Sequence, residues 1–312
     1  MNLNVYYDTQ EAPVTFDFAT YLVTANCARV FAGCEGMNLH IHAHKFRKKT
    51  IRDQSTPEGE IRWRVNHILK GVPALLPMVR DVHIYSSPVM SIDFPMFPPG
   101  YPQNKSKDLV IPYLSDTLLK FKDKVDPDCL RPYRPPDEAV NIVSRLRSVG
   151  KSSQRGYFTI TLRTSRTQTD RNSNLDSWFS VYELLIARGF SVYVVPDYED
   201  LTSHRKYLDY PWETFEIAAF DHGIRLALYA GAIQNLCVLN GVMVPLFHSP
   251  YPYIVFKPIV ESVHQTRLDW FQRIFGIDQD DSFWWSSGDS QRIEWVEDTV
   301  ENVSNSLGAY LT

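Results

Sequence analysis

The residues best suited to chemistry lie in one polar stretch, RTSRTQTDRNSN at 163–174, directly after the apolar run YFTITL at 157–162. Arg163, Arg166 and Arg171 alternate there with Thr164, Ser165, Thr167, Asn172 and Ser173. A guanidinium offers phosphate oxygens a planar fork of donors, so three of them among hydroxyls suit a diphosphate. The helix expected next adds the dipole and free N–H groups of its N-terminus. A solvated polar loop is the alternative.

The next apolar run, FSVYVV at 190–195, ends in Pro196, Asp197, Tyr198, Glu199 and Asp200. A carboxylate at a strand end can accept a ribose or base hydrogen bond, and Tyr198 can stack on a base. Pro-Asp is also a turn signal in its own right. Asp197 and Asp200 are not expected to hold a metal, because no phosphate-binding lysine loop accompanies them. Asn240-Gly241 interrupts LCVLNGVMVPLF, where a glycine permits close backbone approach to a ligand; a hairpin turn explains the dipeptide equally well.

Near the N-terminus, Asp8, Glu11 and Asp17 follow the first apolar run. A carboxylate facing an apolar cleft can have its pKa raised into the range of a general base. Asp8, at the strand end, suits that task best, Glu11 is second, and Asp17 serves equally as a helix cap. His40, His42 and His44 alternate in LHIHAHK and would share one face of a strand. With no Asp, Glu or Cys at short range, zinc is not expected. The row is expected to line an interdomain cleft or an exposed edge, beside Lys45, Arg47, Lys48 and Lys49. The motifs G-x-S-x-G, H-E-x-x-H, G-x-x-x-x-G-K and G-x-G-x-x-G do not occur.

These groups need strands and helices to aim them. Strands are expected at Leu3–Tyr7, Leu39–Ala43 and Val82–Tyr85, with a helix at Asp17–Cys34 capped by Asp17 and closed by Gly33 and Gly36. That β-α-β-α-β order implies a parallel sheet. Prolines crowd 88–136, which suits a loop or an interdomain crossing. A helix at Asp137–Ser148, stopped by Gly150, leads into the second half. There, strands at Tyr157–Leu162 and Phe190–Val195 flank a helix capped by Asn174 or Asp176 and ended by Gly189. A long helix is expected over Glu213–Asn235, then a strand broken at Asn240-Gly241. The 312 residues suit two domains, 1–135 and 136–312.

Composition removes several function classes. A net charge of −4 and a pI near 6.1 leave no global basic field, so sequence-independent nucleic-acid binding is not expected. No signal peptide or membrane span is evident, and Cys27, Cys34, Cys129 and Cys237 show no C-x-x-C pair, so free thiols in the cytoplasm are expected. The 13% of aromatic residues exceeds the need of two ordinary cores. Trp270, Phe271, Ile274 and Phe275 follow helical spacing. Of Trp284 and Trp285, in a segment of loop composition, at most one can face its own core from an extended chain. The other is expected on a contact surface, unless both fold back under a neighbouring loop.

The sequence YFTITLRTSR…RNSN, then SVYVVPD, then NLCVLNGV resembles the C-terminal nucleotide-sugar domain of GT-B glycosyltransferases, in the manner of fucosyltransferase-like members. The likeness covers about residues 155–245. It implies an α/β fold of two Rossmann-like domains with parallel sheets facing across a cleft, and transfer of a sugar from a nucleoside-diphosphate sugar to a hydroxyl acceptor. It further implies that Arg163 contacts the donor diphosphate, Asp197 the nucleoside side and Asn240 with Gly241 the phosphate-proximal turn. The acceptor, a glycan, a lipid-linked sugar or a protein, would lie on the N-terminal domain with its base among Asp8, Glu11 and Asp17. No cofactor beyond the donor and no obligatory metal are expected. Thr161 stands where a His is common before that arginine, and Thr164-Ser165 replaces a charged pair. A nucleotide-sugar hydrolase or epimerase, or a non-catalytic binding protein with a degenerate site, are the other readings.

Overall fold

The computed structural model describes residues 1–48, 54, 56–87, 93–102, 116–149, 154–202 and 205–311. The chain divides into two compact units, Met1–Arg134 and Pro135–Thr312. Pro88, Pro112, Lys49 and Gly150 lie outside the described residues.

In the first unit, β1 (Asn2–Asp8), α1 (Asp17–Phe31), β2 (Gly36–His42), α2 (Glu58–Arg64), β3 (Val79–Tyr85), β4 (Met96–Phe97) and α3 (Asp116–Leu119) follow in order. The sheet has the order β3-β2-β1-β4 and every pairing is parallel. Strand β1 is buried continuously from Leu3 to Asp8, the pattern of a parallel strand covered on both faces. Helix α1 buries every residue from Phe18 to Cys27. Buried phenols in this unit find backbone acceptors: Tyr21 donates to Tyr6 O at 2.6 Å and Tyr133 to Ala19 O at 2.7 Å.

Two expectations change here. Phe16, not Asp17, occupies the N-cap position and makes no side-chain cap; Asp17 lies in the first turn, where it accepts from Thr15 Oγ1 at 2.8 Å and faces the positive end of the helix dipole. Gly33, in the left-handed region at φ +67°, follows the helix end, whereas Gly36 opens β2. The proline-rich stretch also contributes β4, with Asn4 beside Met96 and Val5 beside Phe97, so it is not wholly a crossing. A proline can end a strand at a sheet edge because no partner needs its missing N–H.

In the second unit, α4 (Asp137–Val149) precedes β5 (Tyr157–Thr161), α5 (Leu175–Ala187), β6 (Ser191–Val195), α6 (Tyr198–Thr202), α7 (Ile217–Phe220), α8 (His222–Ala230), β7 (Gln234–Val238), α9 (Val244–Phe247), β8 (Tyr253–Phe256), α10 (Leu268–Phe275), β9 (Gln291–Ile293), α11 (Val300–Ser306) and α12 (Gly308–Leu311). The sheet order is β6-β5-β7-β8-β9, again all parallel. Its core joins Phe158, Ile160, Trp178, Val194, Leu236 and Phe256. Asn174 caps α5 by accepting from Ser177 N at 3.2 Å, and Gly189 sits just past the end at φ +80°.

The stretch from Glu213 to Asn235 is not one helix. Glu213 and Phe215 exchange backbone hydrogen bonds with Val194 at the sheet edge, each at 2.8 Å. Asp221, extended between α7 and α8, accepts from Ile224 N at 2.8 Å and so starts a new helix. Asn235 belongs to β7, held by Thr159 at 2.6 Å and by the carbonyls of Tyr229 and Pro252. LCVLNGVMVPLF changes character at Asn240: the strand ends at Val238, and Gly241–Met243 and α9 are helical, so no hairpin forms.

Candidate functional site

In a doubly wound sheet, ligands bind beyond the carboxyl ends of the strands where the order reverses. In the second unit that place lies between β5 and β7, and it is filled by the loop from Leu162 to Ser173. Chain segments following three strands, β6, β7 and β8, grip this loop, and one following β9 holds the start of the helix after it. From β6, Asp197 Oδ2 accepts from Thr164 N at 3.3 Å, and Glu199 Oε2 accepts from Ser165 Oγ at 2.9 Å and Arg166 N at 3.1 Å. From β7, Leu239 O accepts from Arg171 Nη2 at 3.2 Å, across the reversal itself. From β8, Lys257 Nζ donates to Asn172 O at 3.3 Å. The carboxylate of Asp298, which follows β9, accepts from Asn174 N and Trp178 Nε1, each at 2.8 Å.

Arg163 has a different geometry from the one its position suggests. Its side chain is buried and turned into its own loop, where Nη1 donates to Gln168 O at 3.1 Å and to Asn172 Oδ1, and Nη2 donates to Thr167 O at 2.9 Å. Those bonds close the loop. Arg171 spans Gln168 Oε1, at 2.8 Å, and Leu239 O. Arg166 is exposed. Lys257, which reading the sequence for arginines passed over, is a strand-end cation flanked by Glu297 at 3.5 Å and Asp298 at 4.0 Å. It adopts φ +51°, a strained conformation for a residue with a side chain. Beside it opens a cavity of about 500 Å³, lined by Asp170, Lys257, Ser262, Trp295 and Glu297 among others.

Asp197 follows β6 as expected. Burial pushes its carboxyl above the usual carboxylate range, and the backbone N–H groups of Glu199 and Thr164 offset only part of that. Tyr198 starts α6 and is half-buried. Asp200 is fully buried and holds the chain beyond α6 by accepting from Lys206 N and Tyr207 N, each at 3.1 Å. Asn240 is extended and half-buried, and Gly241 is exposed beside it.

In the first unit the carboxylates separate by burial. Asp8 is fully buried, with Oδ1 accepting from Gln10 N at 2.9 Å and Oδ2 from Tyr101 Oη at 3.4 Å. Glu11 is half-buried in the following turn, tied by its N–H to Asp8 O at 3.0 Å, while Asp17 is exposed. His40 and His42 are buried on β2 and His44 lies beyond the strand, so the row neither lines an exposed edge nor stays on one strand. Tyr101 Oη meets His42 Nδ1 at 2.6 Å. His40 donates from Nε2 to Asn4 Oδ1 at 3.2 Å and meets Tyr85 Oη through Nδ1 at 3.0 Å, with Tyr6 stacked on its ring at 4.8 Å. Burial lowers the His40 pKa, and the nearby His83 lowers it further.

The C-terminal aromatics pack within the second unit. Trp285 is buried, stacks on Phe283 and His248 at 4.6 Å, and donates to Phe247 O at 2.9 Å. Trp284 is half-buried and folds back to donate to Phe275 O at 3.0 Å.

No protein-family model matches the chain, and no curated protein matches it in sequence. Solved structures do match in fold. The ADP-heptose LPS heptosyltransferase II of E. coli is 9% identical, with a TM-score of 0.54, over 100% of this chain and 98% of that one. A family 9 glycosyl transferase of Veillonella parvula is 9% identical, with a TM-score of 0.53, over 99% of this chain and 97% of that one. The chain therefore has the two-sheet fold of GT-B-like glycosyltransferases. The fucosyltransferase-like flavour of the sequence is not what these matches share.

Proposed function

We propose that the protein is a glycosyltransferase that moves a sugar from a nucleoside-diphosphate sugar to a hydroxyl acceptor. The observation that carries this reading is the loop at residues 162–173, held at the reversal of a parallel sheet by the ends of its neighbouring strands. A loop whose N–H groups and hydroxyls are so tied to Asp197, Glu199 and to one another holds the exposed Arg166 and the Arg171 side chain in one arrangement, which is the preorganisation that anion binding needs. The fold shared with an enzyme named for ADP-heptose supports a nucleotide-sugar donor.

The nucleoside belongs at Asp197 and Tyr198, and the diphosphate between the loop and Asn240-Gly241, with Arg166 and Arg171 as its cations. Arg163 serves by closing the loop. The cavity beside Lys257 has carboxylates to accept sugar hydroxyls and the Trp295 ring for an apolar face. These cations belong to the chain itself, so transfer proceeds without an obligatory metal. On the acceptor side, Glu11 is the base, because the fully buried Asp8 is engaged in holding the turn. Glu11 removes the acceptor hydroxyl proton as that oxygen bonds to the anomeric carbon, and the nucleoside diphosphate leaves with the electron pair of the broken C–O bond.

The test is release of nucleoside diphosphate from a panel of ADP-, UDP- and GDP-sugars, with and without added oligosaccharide or lipid-linked acceptor. Acceptor-dependent release supports transfer. Release to water alone indicates a hydrolase, and binding without release a non-catalytic protein; either outcome overturns the proposal.

A further inference from the structure

The cavity beside Lys257 lies where the segments after β8 and β9 meet the loop after β5, and its volume of about 500 Å³ falls in the range of ligand pockets. Trp295 and Val296 contribute apolar surface to it. The Trp295 Nε1 is already committed to Asp281 O at 2.8 Å, so the residue offers a ring and no donor. In a pocket of this kind the few polar groups decide which ligand fits.

Those groups are unequal in charge. Asp170, Glu261 and Glu297 bring three carboxylates, and Lys257 is the one cation among the described lining residues. Its ammonium is already matched: Nζ lies 3.5 Å from Glu297 Oε2 and 4.0 Å from Asp298 Oδ1, and it donates to Asn172 O at 3.3 Å. Asp298 is almost fully buried, and its Oδ2 accepts from Asn174 N and Trp178 Nε1, so it is fixed beside the lysine. Asp170 accepts from Ser262 Oγ at 2.6 Å, and Glu261 lies 3.7 Å from Arg267. Glu297 is the lining acid that faces Lys257 itself. Its side chain is 61% exposed, while its backbone carbonyl accepts from Thr299 N and Asn302 Nδ2, each at 2.9 Å. The side chain can therefore change without disturbing the chain that carries it.

A hydroxyl brought into this lining finds carboxylates to donate to. A carboxylate or phosphate finds like charge, and a lysine that two acids have neutralised. Repelling the wrong ligand gives specificity as surely as attracting the right one. We propose that the cavity selects an uncharged donor sugar over one bearing a carboxylate or phosphate, with Glu297 as the residue that sets the preference. This rests on the nucleotide-sugar reading of the second unit and adds to it the charge class of the sugar.

The experiment is calorimetric titration of the full chain with glucose and glucuronic acid, each linked to ADP, UDP and GDP, and with the bare diphosphates, at about 50 mM and about 500 mM salt, repeated on Glu297→Gln. For the nucleotide that binds, the wild type should prefer the glucose form by about fivefold or more at low salt, the scale of one like-charge contact in a partly open site. The preference should shrink at high salt, which a fit decided by shape would not do. Glu297→Gln should bring it below about twofold, because Gln keeps the shape and releases Lys257 from one of its two acids. Three results overturn the charge assignment and leave the nucleotide site standing: equal or reversed wild-type affinity for the two forms, a preference unmoved by salt or by Glu297→Gln, and rejection of both sugar forms where the bare diphosphate binds. Failure of every compound to bind overturns the underlying reading and the assignment with it.

Discussion

The backbone N–H of Thr164 donates to Oδ2 of Asp197 across 3.3 Å, tying the loop after β5 to the end of β6. Through this bond, a carboxylate that burial would otherwise favour in its neutral form keeps part of its charge stabilised. Proton binding at Asp197 is thereby coupled to the shape of the loop on which nucleotide binding depends.

Arg163→Ala should lose the loop closure. The substitution removes donors from Gln168 O, Thr167 O and Asn172 Oδ1, so stability should fall by about 3 kcal/mol, the scale of two charge-assisted hydrogen bonds in a buried setting. Nucleotide affinity should fall with it. Chemical denaturation and calorimetry check this together, and weaker binding at unchanged stability would instead make Arg163 a direct phosphate ligand.

Glu11→Gln and Asp8→Asn should separate chemistry from architecture. Glu11→Gln should cut turnover roughly a hundredfold or more with donor affinity intact, the scale of a lost general base. Asp8→Asn leaves one carbonyl oxygen for two donors, Gln10 N and Tyr101 Oη, so it should cost about 1–2 kcal/mol of stability. Steady-state kinetics and urea unfolding of both variants decide; a stable, inactive Asp8→Asn would return the base to Asp8.

Stability should fall on acidification below about pH 6.5. The folded-state pKa of His40 lies under its ordinary 6.5, so the neutral form is the one that the fold favours. Its contribution is present above 6.5 and is lost as pH drops through the lower folded value. Urea midpoints from pH 8 to pH 5, compared with His40→Gln, should show a shallower acid slope in the variant. Identical slopes would assign the acid sensitivity elsewhere.

Iodide should quench Trp284 more than Trp285. Trp285 is buried under His248 and Phe283, whereas Trp284 is half-exposed. Trp285→Phe should therefore leave most of the quenchable emission, and Trp284→Phe should remove a measurable share of it. Quenching unchanged by Trp284→Phe would place that indole in a contact.

Features set by neighbours in sequence were legible before the structure. Asn174 caps the helix beginning one residue later, Gly189 ends it, and the runs at 157–161 and 191–195 become strands, because each needs only local turns and a period of side chains. What failed depends on distant partners. Glu213–Phe215 is extended because Val194 offers it a sheet edge, and residues 241–247 turn helical although their composition reads as strand. The site divides in the same way. Asp197 and Arg171 could be placed at strand ends by pattern alone, but the direction of the Arg163 side chain is set by carbonyls of its own loop. Asp298 reaches Asn174 across 124 positions. Lys257 was open to the rule used for Arg163, since it directly follows the run YIVF.

The most direct test of the central claim, a nucleoside-diphosphate site at the strand ends of the second unit, is calorimetric titration of the wild-type chain with ADP, UDP and GDP. At least one should bind at a single site with a Kd of roughly micromolar order, about 8 kcal/mol, and Arg171→Ala should weaken that binding by about 1.5–3 kcal/mol. Absence of binding by all three, or binding that Arg171→Ala leaves untouched, would contradict it.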